Sequence, residues 1–255
     1  MLLSKGEINH KMKKNAKLGY YTSSLNLSHS DLSGFNVCPM ANKLTENEEN
    51  KNKSNCSLCC VGYNGFASIH ESVLESRINK TLSYFTDKQA FLERLVIEIN
   101  NAIKLAKKKD LKPTFRLNAY SDIRWEKDII SDGKNIFELF PSVTFYDYTK
   151  LTNRKTPSNY QLTYSHHKAD FEDTSEALLN GMNVAIVFEK LPKMIKIKGI
   201  KYTVINGDET DLRIDEKIGN KSVVVGLKFK GSKKKLHKAL LEGFAISENN
   251  PSLTY

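Results

Sequence analysis

The chain has 255 residues, of which 40% are hydrophobic and 27% charged, with a formal net charge of +10. This composition is globular, with enough apolar material for a core. The N-terminal segment lacks the apolar region of a signal peptide, and the longest apolar runs are too short to span a membrane, so we expect a cytoplasmic protein. The positive charge indicates a polyanionic partner, most often a nucleic acid, although a lysine-rich codon bias would give the same excess.

All four cysteines lie in one loop, which follows the first predicted strand, GYYTSSLNL. They are Cys38, Cys56, Cys59 and Cys60. Residues 39–55 between them are polar and low in complexity, which predicts a flexible insertion. In a cytoplasmic protein, clustered cysteines are more often metal-binding or redox-active than disulfide-bonded. Because the side chains of adjacent cysteines diverge, we expect three thiolate ligands, from Cys38, Cys56 and either Cys59 or Cys60.

Three thiolates with an open fourth position suit two kinds of metal site. One is a [4Fe–4S] cluster with a free iron, and the other is a zinc ion completed by histidine or water. Buried, inert cysteines are the alternative, but a loop rich in Gly, Asn and Ser argues against it. We therefore expect a metal site, and we favour the iron–sulfur cluster over zinc.

The rest of the chain alternates between helical and strand patterns. Residues 87–110 carry apolar side chains at helical spacing, and Pro113 prevents a continuation. Later predicted helices are IFELF and TSEALLNG, the second ending at Gly181. Six further predicted strands are TFRLNAY, VTFYDY, YQLTYS, MNVAIVF, KYTVI and SVVVGLKF.

This alternation predicts the fold class. Seven strands linked by helices or short turns indicate a single α/β domain over residues 1–255, built as a full or partial (β/α) barrel of mostly parallel strands. A doubly wound open sheet is the alternative, and residues 233–255 would form a basic helix or tail. The chain contains neither GxGxxG nor the P-loop pattern, so neither nucleotide site is supported.

Polar side chains recur at the carboxyl ends of the predicted strands, where βα-barrels carry their active sites. Strand ends are polar in many proteins, so the argument depends on the recurrence rather than on any single residue. The predicted catalytic residues are Asn118, Asp122, Asp147 and Asp208. The predicted cofactor-binding residues are Ser121, Lys150 and Ser165.

Basic residues near the C-terminus predict contacts with phosphate groups. A solvated, lysine-rich face is the alternative interpretation of the same pattern. The predicted nucleic-acid-binding residues are Arg154, Lys228, Lys230, Lys233, Lys234 and Lys235.

Several motifs, in the same order along residues 15–232, resemble a family of phage and plasmid proteins called gene product 88. They are CPM, CSLCC, RLNAYSDIRWE, NIFELFP, FYDYTKLTNR, NYQLTYS, GMNVAIVFEKLP, VINGDETDLR and VVGLKFKG. The resemblance implies a three-cysteine pattern, with Cys38, Cys56 and Cys60 as its counterparts.

A second similarity is to the phage gene product 37/68 proteins, which look like radical S-adenosylmethionine (SAM) enzymes. In those proteins a cysteine loop precedes a strand ending in Asn-x-x-Ser-Asp, here Asn118 to Asp122, and a later strand ends in Thr149-Lys150. The similarity implies a [4Fe–4S] cluster that binds SAM and a nucleic acid or nucleotide substrate. The spacing here is Cys-x17-Cys-x2-Cys-Cys, whereas radical SAM enzymes have Cys-x3-Cys-x2-Cys.

Two alternatives remain open. The architecture is also similar to tRNA-guanine transglycosylases, βα-barrels with a structural zinc that exchange nucleobases and include enzymes that install 7-deazaguanine. That similarity would make Asp147 the nucleophile and Asp122 the acid–base group. A protein from another class would be a non-catalytic DNA-binding protein with a structural zinc and a basic C-terminal region.

Overall fold

The structure is a computed structural model that describes residues 1–7, 10–41, 60, 62, 70–168, 170–214, 216–219 and 221–255. The strands are β1 (Leu3–Ser4), β2 (Tyr20–Leu25), β3 (Lys112–Arg116), β4 (Ile129–Ser131), β5 (Lys134–Asn135), β6 (Thr144–Thr149), β7 (Tyr160–Ser165), β8 (Asn183–Phe188), β9 (Met194–Ile197), β10 (Ile200–Asn206), β11 (Val224–Lys228), β12 (Ala245–Ile246) and β13 (Leu253–Thr254). The helices are α1 (His10–Ala16), α2 (Glu71–Thr86), α3 (Lys88–Lys108), α4 (Ile136–Leu139), α5 (Glu172–Leu179) and α6 (Lys233–Leu241). Within these ranges, no helix combines the length and apolarity needed to cross a membrane.

The fold is a mixed α/β fold around one 11-stranded, mostly parallel sheet. Its parallel part has the order β2, β3, β6, β7, β8, β11, β10, and each of these strands coincides with one predicted from the sequence. Antiparallel strands flank it, with β1 beside β2 at one end and β9 and β13 beyond β10 at the other. The prediction of a mostly parallel α/β sheet is confirmed.

The prediction of a full barrel is wrong for the part of the chain that the structure describes. The first five parallel strands follow one another in chain order, as in a βα-barrel, but β11 then inserts between β8 and β10. The two ends of the sheet are formed by β1 and β13, which pair with β2 and β9 rather than with each other. An open sheet results.

Helices α3 and α5 cover one face of the sheet, and this face is apolar. Phe115 and Phe145, on β3 and β6, belong to one core cluster with Leu95 of α3. Val184 of β8 belongs to a second cluster with Ala177 of α5. The predicted helix over 87–110 is confirmed as α3. Gly181 follows α5 in a left-handed conformation at φ +80, as expected for a helix C-terminus.

The opposite face is polar, and we call it the polar face. Alternation along the strands places on it Thr22, Ser24, Thr114, Arg116, Tyr146, Tyr148, Gln161, Ser165 and Asn183. Helix α1 crosses this face, because the Asn15 amide donates to the hydroxyls of Thr22 (2.9 Å) and Tyr146 (3.4 Å). The segment 207–214 also lies there, since the Thr210 hydroxyl donates to the side-chain oxygen of Asn15 at 2.7 Å.

Candidate functional site

Asp147 lies near the centre of the sheet, on β6, and is fully buried. Its Oδ1 accepts a hydrogen bond from the backbone N–H of Asn118 (2.9 Å), and its Oδ2 accepts from the N–H of Leu117 (3.2 Å) and the Tyr160 hydroxyl (3.1 Å). Burial raises the pKa of Asp147 to about 7, against the opposing charge of Arg116 and these bonds. The carboxyl group therefore fixes the direction in which the chain leaves β3.

Asn118 organises the turn after β3. Its amide donates to the Ile123 carbonyl at 2.9 Å. Its side-chain oxygen accepts from the Ser121 hydroxyl (2.8 Å), the Ile123 N–H (3.0 Å) and the Trp125 indole (3.1 Å). Two predicted site residues, Asn118 and Ser121, thus contact each other, and their described contacts hold the turn in shape.

Asp122 ties this turn to the carboxyl end of β6. Its Oδ2 accepts from the Thr149 hydroxyl (3.1 Å) and the Lys150 N–H (2.9 Å), and its Oδ1 forms an ion pair with Arg154 at 2.9 Å. Burial raises the pKa of Asp122, and the Lys150 N–H and the Arg154 charge oppose that shift. The structure therefore brings together the segments that contain Asn118, Asp122, Asp147 and Lys150.

Arg154 does not present its charge to solvent. Its side chain is fully buried, and its guanidinium pairs with Asp122 and with Glu126, the latter at 2.6 Å. These contacts do not support the predicted role of Arg154 in nucleic-acid binding, because a phosphate group cannot reach it without breaking both pairs.

Lys150 and Ser165, both predicted to bind a cofactor, are neighbours at the ends of β6 and β7. The Lys150 ammonium donates to the Ser165 carbonyl (3.2 Å) and hydroxyl (3.4 Å). The next two residues are buried, and burial, reinforced by the Lys150 charge, lowers the pKa of His166 to about 4 and that of His167 to about 3. Both imidazoles are therefore neutral at pH 7 beside a fixed cation.

The cysteine loop meets this site through its backbone. The Asp122 N–H donates to the Val37 carbonyl at 2.8 Å, and the Cys38 thiol contacts the Tyr120 carbonyl at 3.5 Å. Further along the loop, the Cys60 sulfur accepts from the Gly62 N–H at 3.3 Å.

Cys56, Cys59 and most of the predicted insertion over 39–55 lie outside the described residues. The residues that are described contain no group of three His, Cys, Asp or Glu side chains placed to hold a metal ion. The cysteine-ligated metal site therefore stays a prediction.

Asp208 lies at a different part of the same sheet edge. Its carboxylate accepts from the Lys228 N–H at 2.9 Å and pairs with the Lys230 ammonium, at the ends of β10 and β11. Strands β7, β8 and β11 lie between β10 and β6, so Asp208 and Asp122 follow strands that are not neighbours in the sheet. The predicted nucleic-acid-binding residues Lys233, Lys234 and Lys235 follow in the exposed first turn of α6.

Arg116 on the polar face was not among the predicted site residues. Its Nη1 donates to both carboxylate oxygens of Asp211, at 3.1 and 3.0 Å, and its guanidinium lies 5.0 Å from the centre of the Tyr148 ring. Next to it, Arg213 donates to the Tyr148 hydroxyl at 2.7 Å and to the Thr210 carbonyl at 2.7 Å. The signal for Arg116 was a charged residue inside the otherwise strand-like run TFRL.

Comparison with known proteins gives one finding on family. A model of the Gene product 88 family matches residues 1–243. No curated protein and no solved structure gave a match. The matching family is the one that the motifs resemble, whereas the similarity to gene product 37/68 proteins stays a prediction.

Proposed function

The chain belongs to the Gene product 88 family, and we propose that it is a phage or plasmid enzyme in which a cysteine-held [4Fe–4S] cluster of the radical SAM type acts on a nucleic acid or nucleotide. One observation carries the proposal. The hydrogen bond from Asp122 to Val37 holds Cys38 beside the polar turn at the carboxyl end of β3. The Cys38 thiol is thereby held at the sheet edge where parallel α/β folds bind their ligands.

The described part of the cysteine loop fits such a cluster. Cys38 and Cys60 are half-buried, and the Gly62 N–H donates to the Cys60 sulfur, a type of bond that tunes cluster potentials. A side chain at Gly62 would collide with the His29 ring, since a Cβ there would lie 2.6 Å from it. Cys38, Cys56 and Cys60 would hold the cluster. When bound, such a cluster would supply the electron for the reductive cleavage of SAM.

The residues beside the loop would bind and orient that ligand. The Lys150 ammonium donates to the Ser165 carbonyl. Because an ammonium has three donors, the same group can also bind a carboxylate of the ligand. On the polar face, the Tyr148 hydroxyl is held by Arg213 and the Arg116 guanidinium by Asp211, so Lys150 is the cation that this side of the site offers to a ligand. Asp122 and Asp147 would act as positioning residues for the turn that carries this side of the site.

Charge supports a polyanionic substrate. The net charge is +10, and Lys228 and Lys230 are exposed at the carboxyl end of β11. Because β11 is parallel to β6 and β7, this end shares a sheet edge with the cysteine loop. A nucleic-acid backbone along that edge would pass from the lysines towards the site.

Base exchange by a transglycosylase-like mechanism has less support. A nucleophilic aspartate needs an oxygen that faces the substrate. Both oxygens of Asp147 accept hydrogen bonds, and the residue is fully buried. The contacts of Asp147 therefore favour a positioning role. The other alternative, a non-catalytic DNA-binding protein with a structural zinc, is tested by the experiment below.

The test is anaerobic purification and reconstitution with iron and sulfide, followed by absorption and metal analysis. We expect absorption near 400 nm, about four irons per chain, and 5′-deoxyadenosine from SAM under reducing conditions. Cys60→Ser should lose the cluster, whereas Cys59→Ser, its matched control, should retain it. A colourless protein with one zinc would replace the proposal with base exchange or DNA binding, and a metal-free protein would refute the metal site.

A further inference from the structure

The hairpin formed by β9 and β10 is basic and contains no acidic residue. Residues 190–207, which include it, carry five lysines and neither Asp nor Glu. Lys196 of β9 and Lys201 of β10 lie directly opposite each other, and both side chains are exposed. Within the described residues, Lys198 is the only lysine of the hairpin with a carboxylate partner, Glu172. Two like charges directly opposite in an antiparallel pair destabilise it, so their retention requires an explanation.

The core fixes the direction in which these lysines point. Ile195 and Ile197 of β9 are buried in the second core cluster, on the apolar face of the sheet. Because successive side chains of a strand alternate, Lys196 points to the polar face. Cross-strand partners share a face, so Lys201 points there as well, and the exposed Thr203 follows on the same side of β10. The hairpin therefore presents two ammonium groups and a hydroxyl on one surface.

Protection of a sheet edge does not explain the two lysines. Exposed edge strands often carry lysine because its charge prevents pairing with another chain. Here the outer side of β9 is already covered, since the Lys196 N–H donates to the Ser252 carbonyl at 2.8 Å and the Lys193 N–H to the Thr254 carbonyl at 2.7 Å. Lys201 lies on β10, which has β9 on one side and β11 on the other. Neither lysine guards an open edge.

The lysine pair lies at the opposite edge of the sheet from the candidate site. Strand β10 is parallel to β11, and the turn that joins β9 to β10 precedes it, so this turn lies at the amino ends of the parallel strands. A strand rises about 3.3 Å per residue, so Lys201 is roughly 17 Å from Asn206 at the carboxyl end of β10. A ligand that contacts both Lys201 and the carboxyl-end lysines Lys228 and Lys230 must therefore be long.

We propose that Lys196 and Lys201, together with the Thr203 hydroxyl, bind the phosphate backbone of a nucleic acid. This inference rests on the nucleic-acid substrate of the proposed function and is independent of the cluster. Lysine binds phosphate as a point charge, and threonine hydroxyls commonly donate to phosphate oxygens. A phosphate group between the two ammonium groups replaces their repulsion with two attractions. A polymer is long enough to contact this surface and the lysines at the other edge.

The test measures binding of the full chain to a labelled DNA duplex, to its single strand and to an RNA of the same sequence, over a range of salt concentrations. The variant combines Lys196→Gln with Lys201→Gln. Its matched control combines Lys104→Gln with Lys107→Gln, two exposed lysines of α3, which covers the other face of the sheet. Both double variants lower the net charge by the same amount. Thermal midpoints and iron per chain are measured on the same preparations.

We expect the hairpin variant to bind nucleic acid at least threefold more weakly and to lower the logarithmic salt slope by about two, one for each lost phosphate contact. The α3 variant should keep the wild-type slope. The thermal midpoint of the hairpin variant should be no lower than that of the wild type, because a like-charge pair has been removed. Lys201→Glu, which places a carboxylate opposite Lys196, should raise the midpoint and still weaken binding.

Three results would overturn the inference. The first is wild-type affinity and salt slope in the hairpin variant, and the second is an equal loss in the α3 variant, because net charge alone would then account for binding. The third is a lower thermal midpoint that accounts for the weaker binding. A wild-type protein that binds none of the probes would refute both the inference and the nucleic-acid substrate. A protein that binds through the hairpin but holds no iron would refute the cluster and leave the inference standing.

Discussion

Asp122 donates its backbone N–H to the carbonyl oxygen of Val37 at 2.8 Å. The same residue holds Arg154 and the Lys150 N–H with its carboxylate. It therefore joins the cysteine loop, the turn after β3 and the loop after β6, which are far apart in the chain. A substitution of Asp122 should therefore change both the stability of the fold and the surroundings of Cys38.

The first prediction concerns the buried pair of Asp122 and Arg154. Asp122→Asn leaves a fully buried guanidinium with Glu126 alone, so we expect a loss of about 3 kcal/mol in the free energy of unfolding. The measurement is urea unfolding. Lys168→Met is the control, because it breaks the surface pair with Asp173 and should cost about 0–1 kcal/mol. Equal urea midpoints for the two variants would show that the Asp122 pair contributes little.

The second prediction concerns the turn organised by Asn118. Asn118→Ala removes the acceptor of the Trp125 indole and of the Ser121 hydroxyl, both buried, so we expect a loss of about 2–4 kcal/mol. Trp125 is the single tryptophan of the chain, so its fluorescence reports the turn directly. The emission maximum should shift to longer wavelength as water reaches the indole. Asn153→Ala, at an exposed position, is the control, and an unshifted spectrum in Asn118→Ala would contradict the assigned bond.

The sequence was sufficient to predict the seven parallel strands, because each is a short run rich in β-branched and aromatic residues. It did not predict where they lie in the sheet. Asp208 was grouped with Asp122 because both follow strands, yet β11 inserts between β8 and β10 and separates them. The short edge strand Leu253–Thr254 depends on long-range pairing with Met194 and Ile195, which no local pattern reveals.

The roles of the site residues were also beyond local sequence. Asp147 has the residue type of a nucleophile, and only the register of β6 against β3 shows that its carboxylate is used by the Leu117 and Asn118 N–H groups. Arg154 has the type of a phosphate ligand, and its burial follows from two acidic residues more than 25 positions away. The spacing of the motifs identified the segments that meet, whereas only the structure shows which of their side chains are buried.

The third prediction is a loss of stability in mild acid. The pKa values of His29 and His166 are about 4 and that of His167 is about 3 in the folded protein, against 6.5 when unfolded. The unfolded chain therefore binds protons first, and stability present above pH 6.5 is lost as the pH falls towards 4. Asp147, raised to about 7, acts in the opposite sense, because its contribution is lost as the pH rises from about 4 to 7.

Burial also raises the pKa values of Asp122 and Glu216, which act in the same sense as Asp147. We expect the three histidines to outweigh these carboxyl groups, so the net free energy of unfolding should fall from pH 6.5 to 4. Urea unfolding at several pH values measures the slope. His166→Asn should make the slope shallower by about one proton, and Asp147→Asn should make it steeper by up to one. A wild-type slope in His166→Asn would contradict the assignment of a neutral, buried imidazole.

The fourth prediction separates binding from helix stability in α6. Lys233 and Lys234 are exposed in the first turn of α6, which has no acidic residue, and Lys238 lies in its last turn. The positive end of the helix dipole disfavours lysine by about 0.3–1 kcal/mol per residue, so the chain keeps cations where helix stability opposes them. Such a cost is expected where the lysines bind an anion.

Lys234→Glu and Lys238→Glu make the same change in net charge with opposite effects on the helix. We expect Lys234→Glu to raise the free energy of unfolding by about 0.5–1 kcal/mol and Lys238→Glu to lower it by a similar amount. If the first turn grips a nucleic-acid backbone, Lys234→Glu should also weaken binding to a labelled DNA and lower the salt slope by about one. A more stable Lys234→Glu protein with unchanged DNA affinity and salt slope would identify this turn as a solvated face. The lysines of the turn would then neither stabilise the helix nor bind a phosphate group.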